Sequence, residues 1–170
     1  MKRLKIKVVG IGGCGNNIVE HLAKSNFNGV DFASVDIDKE DMKEKKRIES
    51  ILEEVDVLFL IAGMGGVTGT RVTPSIAKLA RERGIYISAI VTMPMEMEGR
   101  ERIKIAEKGI LKLRNHVNSL IELPNMFNFS YTLIKDISIN ELFDVVNHMA
   151  LGVIRSLVVP IKALYSTNLK

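Results

Sequence analysis

Hydrophobic and polar positions alternate in regular blocks along the chain. Residues 4–9 alternate and then run apolar, which predicts a strand that the glycines of 10–15 end. Between 16 and 24, Ile18, Val19, Leu22 and Ala23 fall at helical spacing. Residues 30–35 read as a second strand, closed by Asp36. The polar segment 39–54 reads as a helix, with Ile48, Ile51, Leu52 and Val55 on one face. Residues 55–62 are almost wholly apolar, as in a parallel strand covered on both faces. A second glycine loop, 63–69, follows. Thr73 and Pro74 read as a helix entry and Gly84 as its stop. Residues 85–91 predict a strand, 93–99 a loop, and 100–115 a helix with Ile103, Ala106, Ile110 and Leu113 inward. A strand over 117–123 and a loop over 124–130 lead to a long apolar-rich helix from Ile139 to about Leu164, with Pro160 a candidate bend. Strand and helix in alternation predict a Rossmann-like, doubly wound α/β fold with a mostly parallel sheet. Ligands of such sheets sit in the loops at the carboxyl ends of the strands, where both glycine loops fall.

Composition narrows the picture. The chain has 170 residues, 46% hydrophobic and 26% charged, which suits a single globular domain with a real core. A single Cys excludes a disulfide framework and fits a reducing, cytoplasmic setting. The longest stretch free of charge around the most apolar segment, 57–70, is 14 residues, so no membrane span is expected. The charged N-terminus reads as a first strand rather than a signal peptide. Net charge is +4. The one basic cluster, Lys43, Lys45, Lys46 and Arg47, alternates with Glu40, Asp41 and Glu44, as on a solvated helix face. With aromatics at only 5%, no nucleic-acid partner is expected. His21, His116 and His148 are separated and show no metal-ligand spacing.

Two segments carry chemistry. Gly10-Ile11-Gly12-Gly13-Cys14-Gly15 fits G-x-G-x-x-G after a strand and before a helix, with Asp36 about 20 residues on, where an acid would take a ribose hydroxyl. Such glycines admit a phosphate to the backbone, and the helix N-terminus supplies N–H donors. Alone, this pattern points to an NAD-binding oxidoreductase. The second loop, Gly63-Met64-Gly65-Gly66-Val67-Thr68-Gly69-Thr70, changes the reading. A dehydrogenase needs no second phosphate cradle at the neighbouring strand, whereas a nucleoside di- or triphosphate between the loops would use both.

These segments, in this order, resemble the GTPase domain of the FtsZ/tubulin family. IKVVGIGGCGNN is similar to the first phosphate loop, and AGMGGVTGT to the G-G-G-T-G-[ST]-G signature. VTMPMEMEGRERIKIAEKGILKL is similar to the loop and helix with V-T-x-P-F-x-x-E-G, and SLIELPN to the segment ending in a nucleoside-contacting Asn. The resemblance runs from Lys5 to about Leu164. It implies GTP or GDP as ligand. By it, Gly12, Gly13, Cys14, Gly15, Asn16 and Asn17 cradle the diphosphate, with Gly65, Gly66, Thr68, Gly69 and Thr70 opposite. Glu98 and Arg102 lie beside the ribose and phosphates, Asn125 near ribose and base, Phe143 against the base and Asn147 at its edge.

Five departures qualify it. Asn147 stands where FtsZ has Asp and, as an amide, both donates and accepts, so GTP is favoured without a sharp exclusion of ATP. Asp36 replaces the Asn of an N-T-D motif; Mg²⁺ binding, a turned-away side chain and weakened triphosphate binding are all open. Only 16 residues separate Asp38 from Val55, where FtsZ carries a longer insertion with a γ-phosphate-sensing loop. Val67 and Arg71 replace glycines, and Val67 would be strained at positive φ. No carboxylate follows Asp144, so the family's activating acids have no counterpart, and hydrolysis alone is expected to be weak or nil. The apolar face of the long helix (Leu142, Phe143, Val146, Met149, Ala150, Val153, Leu157 and Val158, with Leu151, Ile154 and Ile161 beyond it) predicts a homo-oligomer or a protein partner. A scaffold that no longer binds nucleotide is the remaining alternative.

Overall fold

The computed structural model describes residues 3–25, 27–37, 42–123 and 138–167. Five strands, β1 (Ile6–Ile11), β2 (Asp31–Val35), β3 (Val57–Gly63), β4 (Tyr86–Thr92) and β5 (Ser119–Leu123), form one sheet in the order β2-β1-β3-β4-β5. Every pairing is parallel. The helices are α1 (Gly12–Ala23), α2 (Met42–Ile51), α3 (Val67–Glu82), α4 (Arg100–Arg114) and α5 (Ile139–Thr167).

The pleat of β3 shows how the sequence builds the layers. Leu58, Leu60 and Ala62 face a core with Val72, Ile76 and Ala77 of α3 and Ala106, Ile110 and Leu113 of α4. Val57, Phe59 and Ile61 face the other core, with Ile18, Val19 and Leu22 of α1 and Ala150, Ile154 and Val158 of α5. Helices therefore cover both faces, the doubly wound arrangement that the apolar run predicts. Truncating Phe59, fully buried at this centre, would cost about 3–5 kcal/mol.

Three expectations change. Helix α3 begins at Val67, so Pro74 lies inside it rather than at its entry. Proline removes the N–H that would reach the Thr70 carbonyl, and the buried Thr73 hydroxyl instead donates to the Gly69 carbonyl at 2.6 Å. Val67 is the first residue of this helix, highly exposed, and Glu54 is the one non-glycine with positive φ among the described residues, so the strain considered for Val67 does not arise. In α5, Ile154 is wholly buried while Phe143 is 54% exposed. The helical stripe that meets the sheet runs through Leu142, Val146, Ala150, Ile154 and Val158, and Phe143 lies off it.

Helix α5 is also long and apolar enough, by length and composition, to cross a membrane. Arg155 and Lys162 interrupt its apolar run, so it does not stand out as a charge-free stretch in the sequence.

Candidate functional site

In the strand order, β2 lies on one side of β1 and β3 on the other. The topological switch point is thus between β1 and β3, and the loops leaving these two strands flank it. A cleft of about 380 Å³ opens there, lined from the first loop by Gly12, Gly13 and Cys14 and from the second by Gly66, Val67, Thr68 and Gly69.

Both helices that start at this cleft have bare N-termini. The N-cap of α1 is Ile11 and that of α3 is Gly66; neither makes a side-chain cap, and neither first turn holds an acid. Helix α5 is different. Ser138 and Glu141 form a reciprocal box, with the Ser138 N–H donating to Glu141 Oε2 at 2.7 Å and the Glu141 N–H donating to Ser138 Oγ at 3.3 Å. The Ser138 hydroxyl, which donates to the same Oε2 at 2.7 Å, and then the Ser138 N–H hold the Glu141 carboxyl below the ordinary carboxylate range. The chain thus caps α5 with its own side chains and leaves the first-turn N–H groups of α1 and α3 without side-chain acceptors, an arrangement suited to an anion.

The glycines divide into two kinds. Gly12 adopts φ +71°, and a Cβ on Gly13 would meet nothing within 4 Å, so the surface here is open to a ligand. Gly15 and Gly69 serve packing instead: a Cβ there would lie 2.2 Å from the carbonyl oxygens of Ile61 and Gly63, respectively. These two glycines let α1 and α3 sit directly against the sheet, which brings their N-termini together.

The third wall comes from the segment after β4. Glu98 pairs with Arg102 at 2.8 Å and accepts the Met95 N–H at 2.8 Å; Glu98, Arg102, Thr92, Met93, Pro94 and Met95 all line the cleft. The register Gly63↔Thr92 places this segment beside the second loop. Cys14 Sγ lies 3.5 Å from Thr92 Oγ1. Burial pushes the Cys14 thiol above its ordinary range, with the Thr92 hydrogen bond opposing and the charge of Glu98 adding to the rise.

The last wall is α5. Leu142, Phe143 and Val146 close the cleft. On the far side of Phe143 and Val146 a second cavity of about 300 Å³ is lined by Cys14, Asn17, His21 and Asn147. The predicted residues thus fall at two adjoining ends, the phosphate loops at one and Asn17 with Asn147 at the other, with Phe143 and Cys14 bordering both.

Other predicted residues lie elsewhere. Thr70 turns its hydroxyl into its own loop, accepting the Gly65 N–H at 2.7 Å, and Gly65, at φ +93°, packs on Pro94. Asn16 donates from Nδ2 to the Val35 carbonyl at 3.4 Å. Its Oδ1 is buried without a partner. Asp36 is exposed and lines neither cavity; Asn125 lies outside the described residues. Among the described residues no group of three or more His, Cys, Asp or Glu side chains is placed to hold a metal ion, and the one carboxylate in the cleft is already paired, so these residues do not fit a Mg²⁺ site built by the chain alone. Thr92, Met93 and Pro94 also line the cleft; they belong to the VTMPMEMEG segment that is similar to V-T-x-P-F-x-x-E-G, and they lie at the carboxyl end of a parallel strand.

Fold and site define a parallel α/β domain with two glycine loops opening on one cleft. The sequence matches the Tubulin/FtsZ family, GTPase domain, over residues 33–129, and the chain belongs to that family. It is 34% identical over 186 residues to the cell division protein FtsZ of Coxiella burnetii, covering 90% of this chain and 48% of that protein. To the FtsZ of Pseudomonas aeruginosa it is 35% identical over 185 residues, covering 89% and 47%. The chain spans about half the length of the curated relatives it matches. Its fold is that of an empty FtsZ dimer of M. jannaschii (TM-score 0.78, 23% identity, covering 92% of this chain and 55% of the other). It is also that of a GDP-bound CetZ monomer of Haloferax volcanii (TM-score 0.71, 18% identity, covering 88% and 58%).

Proposed function

We propose that this protein binds a guanine nucleotide in the cleft between the two glycine loops and acts in cell division or the cytoskeleton. The observation that carries the reading is the convergence of two uncapped helix N-termini on one cleft. The phosphates would lie across Gly12, Gly13, Gly66, Thr68 and Gly69, taking the N–H groups that lack side-chain caps. Arg102 would supply positive charge from the third wall. The base would lie beyond Phe143, between Asn17 and Asn147, whose amides both donate and accept.

The NAD reading loses support from two placements. Asp36, the acid it needs for a ribose hydroxyl, lines neither cavity, and the second loop shares the cleft with the first. A carboxylate free to position water is missing among the described residues that line the cleft between the glycine loops, because Glu98 is held by Arg102 and the Met95 N–H. We therefore propose slow hydrolysis by this chain alone. Phe143, Val159 and Leu164 are exposed on α5, which favours association through that helix, with a copy of the chain or another protein.

The test is to denature the protein purified from its host and identify what is released. GDP or GTP supports the reading; NAD overturns it. An empty protein that takes up no added GDP in calorimetry points to the scaffold.

A further inference from the structure

Helices α1 and α5 meet at a pair of histidines, which the spacing in sequence does not suggest. The rings of His21 and His148 lie with centroids 5.1 Å apart and planes at 64°. His21 is half-buried, and His148 is exposed. His148 Nδ1 lies 2.7 Å from the backbone carbonyl of Asp144. A carbonyl only accepts, so Nδ1 carries the proton and, in the neutral ring, Nε2 holds the lone pair. A backbone carbonyl that fixes the tautomer and orientation of an imidazole is the usual outer partner of a metal-bound histidine.

We propose that His21 and His148 form a two-imidazole site for a borderline divalent transition ion such as Zn²⁺. Two imidazoles on one tetrahedral ion, at Zn–N distances of about 2.0–2.1 Å, have ring centroids roughly 5 Å apart, and rotation about each metal–nitrogen bond leaves the interplanar angle free. Water completes the coordination. Glu20 and Lys24 both line the cavity that His21 lines, and no third His, Cys, Asp or Glu among the described residues is placed to join the pair. Hard ions such as Mg²⁺ prefer oxygen ligands and would not compete. The bound ion bridges α1 to α5 beside the cavity that Asn17 and Asn147 line. It would therefore stabilise the folded chain by mass action whether or not nucleotide is present.

The test is titration of ZnCl₂ into untagged, nucleotide-free protein by calorimetry, with the thermal midpoint followed in parallel. One ion per chain is expected, with a raised midpoint. His21→Gln and His148→Gln should each weaken binding at least tenfold, His116→Gln should leave it intact, and MgCl₂ should not substitute. Ring nitrogen resonances give a readout without mutation: Nε2 of His148 should shift on Zn²⁺ addition while its Nδ1 stays protonated. No Zn²⁺ binding by the wild-type chain, binding equal in all variants, or a shift confined to His116 would each overturn the site.

Discussion

The hydroxyl oxygen of Thr70 lies 2.7 Å from the backbone nitrogen of Gly65 and accepts its hydrogen. The second glycine loop is therefore shaped from within. Gly65 is buried at a positive φ against Pro94, and its N–H would otherwise lack this acceptor. Thr70→Val should destabilise the protein by about 1–3 kcal/mol, measured by urea unfolding, and weaken nucleotide binding as a consequence. Thr70→Ser should restore both. A Thr70→Val protein of unchanged stability but weakened binding would instead place this hydroxyl on a phosphate.

The packing and cradle glycines should separate fold from binding. Gly15→Ala puts a methyl 2.2 Å from the Ile61 carbonyl oxygen and should cost at least the ~1–3 kcal/mol of an overpacked core. Gly13→Ala meets nothing within 4 Å and adds a better helix former near the start of α1. Its thermal midpoint should hold or rise while nucleotide affinity falls tenfold or more.

Arg102 is 51% exposed and its pair with Glu98 is an i,i+4 contact. Exposed pairs of this kind contribute ~0.2–1 kcal/mol, so Arg102→Ala should shift stability little. Its loss should appear in calorimetry with GDP, as weaker binding that depends less on salt concentration.

Cys14 reports on occupancy. Its thiol lines both cavities and is pushed upward in pKa by burial. The reactive thiolate is therefore scarce near neutral pH. Alkylation should be slower than for an exposed cysteine, rise as pH climbs past the ordinary thiol range, and be suppressed by saturating GDP. Labelling indifferent to nucleotide would argue against a ligand at this position.

How far the sequence reached depended on the physical signal at each position. The apolar run of β3 is unmistakable because both faces are covered, and the glycine loops are visible because close backbone approach tolerates little else. Proline favours helix starts, but Pro74 lies inside α3, whose seating is governed by Gly69 packing on Gly63, a contact outside the local pattern. Phe143 and Ile154 changed places because α5 is apolar on several sides, and periodicity alone does not choose which side meets the sheet. Thr70 and Thr68 are chemically alike in the sequence; the fold lets Thr68 line the cleft and turns Thr70 inward. The His21–His148 contact joins residues far apart in the chain and leaves no local trace.

The proposed function requires one nucleotide in the cleft between the two glycine loops. It is tested most directly by titrating GDP into nucleotide-stripped wild-type and Gly13→Ala protein by calorimetry, with thermal midpoints measured alongside. One site per wild-type chain is expected, with at least tenfold weaker binding by Gly13→Ala at an equal or higher midpoint. No GDP binding by the wild-type chain, or equal affinity in the two proteins, would contradict it.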